Sequence, residues 1–181
     1  MKTLLKVLCV VGMYSFTLQA IRPLVFFKGV DIKRRLIQLI ENEKEHIKVA
    51  MYMFTDKDIA KKLIEARKRG VRIEAVVDSS TMNSSHSVAD KLRDKSISVM
   101  QCKTRAFYSS MHMKCWMFQS TRLNDKYSYQ PSIYSGSCNC TYNGAYRNKE
   151  MMILCFGKGV FDKCAKNFKE LKQESVYIPK K

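Results

Sequence analysis

His112-Met113-Lys114-Cys115-Trp116-Met117-Phe118 places two chemically capable side chains at the mouth of an apolar strand. In extended backbone, residues two apart point to the same side, so His112 and Lys114 project together. An imidazole beside an ammonium suits a phosphate group, although His-x-Lys alone is a common pattern. A second stretch, Ser135-Gly136-Ser137-Cys138-Asn139-Cys140-Thr141, alternates in the same way. Ser137, Asn139 and Thr141 share one face. Cys138 and Cys140 take the other, as small apolar filler. Gly136 permits another backbone to come close. Further on, Asn148 and Glu150 are again two apart and precede an apolar strand. A carboxylate there is suited to fixing an imidazole tautomer and stabilising its cation.

Around these stretches, strands and helices alternate. Apolar residues at Ile32, Leu36, Leu39 and Ile40 give residues 30–42 helical spacing, and residues 47–54 form an apolar run of strand length. Residues 56–69 predict a helix that Gly70 stops. Residues 71–77 alternate as a strand, 88–95 predict a helix and 96–100 a short strand. Residues 114–118, 133–137 and 151–156 are the later strands, with 129–132 turn-rich. Residues 160–173 close the chain with an amphipathic helix. This order predicts an α/β sheet covered by helices. No Pro- or Gly-rich linker divides residues 21–181, so one domain is expected there.

Residues 1–20 differ from the rest. Lys2 and Lys6 precede the apolar run VLCVVGMYSFTL (7–18), and no acid appears before Asp31. That is the pattern of a secretory signal peptide, which implies a secreted or periplasmic protein. The run is short for a span of ~20 residues, yet a retained membrane anchor is the alternative. A formal charge of +17 favours polyanionic partners, nucleic acid or anionic lipid. Of seven cysteines, most sit in apolar runs, as core thiols do. Cys138-x-Cys140 lacks the second pair a zinc site needs. His46 lies in a charged stretch and is expected to be solvated. His86, in a Ser-rich loop, is placed to border a site.

Together, His112-x-Lys114, Gly136-Ser137-x-Asn139-x-Thr141 and Asn148-x-Glu150 resemble the HKD signature of the phospholipase D superfamily. The nearest likeness is to its single-motif members, bacterial Nuc-type endonucleases and mitochondrial cardiolipin hydrolases. Met51-Tyr52-Met53-Phe54-Thr55, Asp58 to Leu63, Lys68-Arg69-Gly70-Val71 and Val76-Val77-Asp78 extend it upstream, over roughly residues 25–172. The resemblance implies an α-β-α sandwich, a mixed sheet with helices on both faces, and one HKD motif per chain. It implies metal-independent phosphodiester hydrolysis with no cofactor, through a phosphohistidine intermediate. His112, Lys114 and Glu150 would be catalytic, and Lys114, Ser137 and Asn139 would bind the substrate phosphate. Gly136, Thr141, Asn148 and Gln119 would support them. Because the family chemistry uses two histidines, it further implies a two-fold homodimer in which each subunit supplies one His112. Two features depart from the pattern. Gln119 stands where the motif has an acid, and residues 121–132 look like an inserted hairpin loop containing Asp125. Three functions fit: a non-specific endonuclease, a phospholipase D or cardiolipin hydrolase acting on anionic phospholipid, and a weakened binder of such polyanions.

Overall fold

A computed structural model describes residues 22–103, 109–122 and 129–177. The elements are β1 (Leu24–Phe26), α1 (Gly29–Asn42), β2 (His46–Met51), α2 (Lys57–Lys68), β3 (Arg72–Val77), α3 (Ser79–Met82) and α4 (Ala89–Asp94). Then follow β4 (Ser98–Cys102), β5 (Lys114–Thr121), β6 (Gln130–Gly136), α5 (Tyr142–Tyr146), β7 (Met152–Phe156), α6 (Lys158–Gln173) and β8 (Ser175–Tyr177). One sheet has the order β1-β7-β6-β5-β2-β3-β4-β8. Strands β2, β3 and β4 are parallel, and the remaining pairings are antiparallel.

Both faces of the sheet are covered, which is why β2 and β5 are almost wholly buried and read as apolar runs instead of alternating ones. On one face Val49, Ala75, Trp116 and Tyr134 pack with Leu36, Ile40, Leu63 and Leu92 from α1, α2 and α4. On the other, Ala50, Val76, Cys115 and Met117 meet Phe161 and Phe168 of α6. This is the expected α-β-α sandwich. Helix α2 starts at Asp56, whose carboxylate accepts from the Asp58 and Ile59 amides, and ends before Gly70 at φ +95°, a conformation natural to glycine.

Three expectations need correction. Residues 130–132 are strand, since β6 begins at Gln130. The buried Ser132 hydroxyl donates to Thr121 Oγ1 at 2.8 Å, and Pro131 sits where the β5–β6 register shifts. A missing N–H is tolerated at such an irregularity, so turn-like composition misled. The middle of the presumed insertion, with Asp125, lies outside the described residues, as do residues 1–20.

His46 is buried, not solvated. Arg72 donates to its Nδ1 at 2.8–3.2 Å, while Nε2 lies 2.8 Å from a Glu74 carboxylate oxygen. Since Arg has no acceptor, Nδ1 must keep its lone pair and the ring is neutral. Burial, aided by the Lys48 and Arg72 cations, lowers its pKa to about 4. Stability carried by the neutral ring is complete above about pH 6.5 and is lost as pH falls toward 4, on the order of 3 kcal/mol in all. Urea midpoints at pH 7 and pH 5 should therefore differ in the wild type, and the difference should shrink in His46→Gln.

The third correction concerns the far end of the chain, where β8 adds an edge strand beside β4 that the sequence pattern did not announce. The six cysteines within the described residues are free thiols, four of them buried, consistent with core filler.

Candidate active site

The carboxyl ends of β2 and β3 lie beside the start of β5, the end of β6 and the start of β7, because β5 runs antiparallel to both β2 and β6. Loops leaving these five strand ends meet at one end of the sheet, the position where open α/β sheets gather ligand-binding groups.

Lys114, the first residue of β5, pairs with Met51 and its side chain is buried. Its Nζ donates to the backbone oxygen of His112 at 2.8 Å and lies 3.0 Å from His112 Nδ1. It also sits 5.0 Å over the Tyr52 ring. Burial lowers the Lys114 pKa, and the charge of Glu150 opposes that shift. The His112 ring is exposed and leans on Tyr52, with centroids 4.6 Å apart.

Two backbone ties hold His112 in place. The Tyr52 amide donates to Met113 O at 2.8 Å, which extends the β2–β5 ladder past its strand ends. The Met111 amide donates to Asp78 Oδ2 at 2.8 Å, while Asp78 Oδ1 caps α3 at Ser80 N, 2.8 Å away. Asp78 is itself buried. It therefore couples the end of β3 to the backbone just before His112.

The Gly136–Thr141 segment is clamped against the loop after β2. Cys140 N donates to Met53 O at 3.1 Å, and Thr55 N to Cys140 O at 2.9 Å. Asn139 Oδ1 accepts from Met53 N at 3.3 Å, which leaves its amide nitrogen for a substrate. At Gly136 any Cβ would run into the Met151 carbonyl oxygen, so only glycine allows β6 and β7 to close there. Ser137 N in turn donates to Met151 O at 2.9 Å. Thr141 caps α5, accepting from Gly144 N at 3.1 Å, so its part is structural.

Glu150 is engaged by the Ser137 hydroxyl and by Asn148 Nδ2 at 3.0 Å. Among the described residues these are its hydrogen-bond partners. Its tie to His112 is not part of this geometry, although its charge acts on Lys114. Gln119 lies five residues down β5 from Lys114, roughly 17 Å away at the rise of a strand. Its amide is remote from the phosphate site. The carboxylate at that end of the sheet is the buried Glu43, which accepts from Ser120 N at 2.9 Å and from the Lys44, Glu45 and His46 amides.

Next to the site lies an open groove of about 890 Å³ that includes Asn139, Asn148, His86, Tyr142 and Tyr146. His86 thus borders the site, as its loop suggested. Tyr52, Asp78 and the two groove tyrosines were not singled out for roles from sequence. For Asp78 there was a signal, its place at the carboxyl end of a parallel strand.

A sandwich of this topology with a His-x-Lys pair at its carboxyl edge is what the resemblance to the phospholipase D superfamily implied. The chain belongs to its PLD-like domain family: the family described as "Cardiolipin synthase, PLD-like domain" matches residues 36–172. NucT from Helicobacter pylori superposes with TM-score 0.77 at 20% identity, covering 87% of this chain and 99% of that one. Nuc from Salmonella typhimurium, described as a phospholipase D family member, gives TM-score 0.70 at 20% identity, with coverage of 87% and 99%. Phosphatidylserine synthase from Haemophilus influenzae gives 0.63 at 14% identity, covering 81% of this chain and 36% of that one. No curated protein matches the chain in sequence. At these identities the three structures share the fold.

Proposed function

We propose that this protein is a metal-independent phosphodiesterase whose substrate is nucleic acid and which acts as a two-fold dimer. The observation that carries the reading is the exposed His112 ring held beside the buried Lys114 ammonium at the sheet's carboxyl edge. Each chain brings one such histidine, and a C2 axis sets identical residues face to face. His112 of one subunit attacks phosphorus through Nε2, forming a P–N bond as the P–O bond to the leaving group breaks. His112 of the partner subunit gives its proton to the departing oxygen. It then takes a proton from water, whose oxygen displaces the first imidazole and regenerates both rings.

The Lys114 ammonium, the Asn139 amide and Ser137 would hold the nonbridging oxygens, where negative charge must be met. Attack through Nε2 requires the proton on Nδ1. Substrate would draw Lys114 off Nδ1, and in this reading Glu150 would exchange its Ser137 hydrogen bond for one from that proton. Lysine and imidazolium supply the positive charge, so no metal or other cofactor is invoked. Residues 1–20 act in this reading as an export leader or anchor, and 21–181 as the catalytic domain. No helix among the described residues is long and apolar enough to cross a membrane.

The second reading, a phospholipase D or cardiolipin hydrolase, draws support from Phe27 and Met151, 67% and 40% exposed beside the β1–β7 edge at the site's end of the sheet. The third, a weakened binder in which Gln119 supports the motif less well than an acid, predicts binding that is unchanged in His112→Ala and no turnover in the wild type. The test incubates the full chain in chelator with single-stranded DNA, RNA, duplex DNA and cardiolipin vesicles, beside His112→Ala. Chelator-resistant cleavage of nucleic acid that disappears in the variant is expected. Release of phosphatidic acid with nucleic acid left intact would transfer the assignment to lipid.

A further inference from the structure

The groove beside the catalytic residues has a wall that phosphodiester chemistry does not explain. Tyr142 and Tyr146 are four residues apart on α5, on one side of the helix, and are 61% and 54% exposed. Their ring centroids are 5.0 Å apart with planes at 41°. Each ring carries a cation, with Arg147 5.4 Å from the Tyr142 centroid and Lys33 Nζ 5.4 Å from that of Tyr146. Two large exposed rings side by side are a patch of the kind that marks an interaction site.

Their placement limits what that is. Helix α5 lies between the segment proposed to meet the phosphate, with Asn139, and the segment that carries Asn148 and Glu150. The groove they line also includes Asn139 and Asn148, so it is continuous with the catalytic site. Lys57 and His86 also line it. Lys33 is already paired with Asp56 and Asp58 at 2.8 and 2.7 Å, so it contributes little free charge. An acyl chain laid in this groove would desolvate those carboxylates and the asparagine amides without returning hydrogen bonds. A nucleoside suits it better, with its base on a tyrosine face and its sugar and phosphate toward the polar floor.

We propose that Tyr142 and Tyr146 form a base-stacking subsite for the nucleosides flanking the scissile phosphate, which selects unpaired strands over duplex. This rests on the nuclease reading and deepens it. Stacking on aromatic side chains accepts any base, whereas bases paired in a duplex are already stacked on one another and present no free face. The subsite would thus discriminate by strandedness and not by sequence.

The test uses the full chain. Affinity is measured in the His112→Ala background by fluorescence polarisation, with a labelled single-stranded oligonucleotide, its duplex, and an abasic strand of equal length. Tyr142→Ala with Tyr146→Ala should weaken binding of the base-bearing single strand by about tenfold per ring. Binding of the abasic strand should stay unchanged, and Tyr142→Phe with Tyr146→Phe should restore the loss. In otherwise wild-type chain, hydrolysis of bis(p-nitrophenyl) phosphate, a small diester with no nucleobase and no second phosphate, should change far less in the alanine pair than cleavage of the base-bearing strand does. Sedimentation should show the same oligomeric state. The proposal is overturned if the abasic strand binds as tightly as the base-bearing one, if the alanine pair binds like wild type, or if that pair disrupts the oligomer. The parent reading fails separately. In that case His112-dependent hydrolysis of the small diester persists while no nucleic acid is cut.

Discussion

His112→Ala should lower phosphodiester cleavage by at least about 10⁴-fold while leaving the fold intact. Its ring is exposed and meets Lys114 and the Tyr52 ring at the rim of the sheet, so truncation opens no core cavity. In the proposed homodimer the substitution would remove both imidazoles from the shared site. The attacking group goes, and so does the proton donor to the leaving oxygen, which by itself contributes 10²–10⁴. Groups that act as one unit are not additive, and deleting a nucleophile or its base costs on the order of 10⁴–10⁶. A subunit-mixing experiment makes the prediction sharper. With exchange allowed, excess His112→Ala chain should suppress wild-type activity well beyond dilution, because each mixed dimer has one histidine where two are needed. A purely linear fall would mean that each chain works alone, and the shared-site mechanism would be lost.

Lys114→Met should reduce kcat by about 10²–10³, the usual effect of removing one preorganised donor to a developing oxyanion. Methionine fills nearly the same buried volume without the ammonium. Thermal stability should hold or rise, since a buried charge is no longer desolvated. A catalytic loss without a stability loss distinguishes a phosphate clamp from a structural lysine. Lys114→Arg should not rescue activity, because a planar guanidinium is ill suited to the slot between the Tyr52 ring and the His112 carbonyl. Steady-state kinetics and a melting curve on the three proteins suffice. Unchanged kcat in Lys114→Met would remove the residue from the mechanism.

How far the sequence foretold this arrangement depended on whether a residue's role was set locally. The alternation of Ser137, Asn139 and Thr141 against Cys138 and Cys140 follows from backbone geometry, and the structure buries both cysteines. The helical spacing of Ile32, Leu36, Leu39 and Ile40 likewise matches the buried face of α1. His46 and Asp78 were opaque for the opposite reason. His46 is held by Arg72 and Glu74 of the neighbouring strand, and α6, more than a hundred residues later, brings Lys172 onto that same Glu74 carboxylate. Asp78 matters because Met111 arrives beside it. No window of neighbouring residues contains either fact. Pro131 shows a further limit, since its neighbours read as a turn and only the two flanking strands make β6.

The pairing of β1 with β7 has a temporal consequence. Leu24–Phe26 finds its strand partner in Met152–Leu154, more than a hundred residues later. During synthesis β2 and β3, which pair directly with each other, can join without it. β1 therefore gains its place in the sheet only after β2, β3, β5 and β6, four of the strands whose ends form the site, have all left the ribosome.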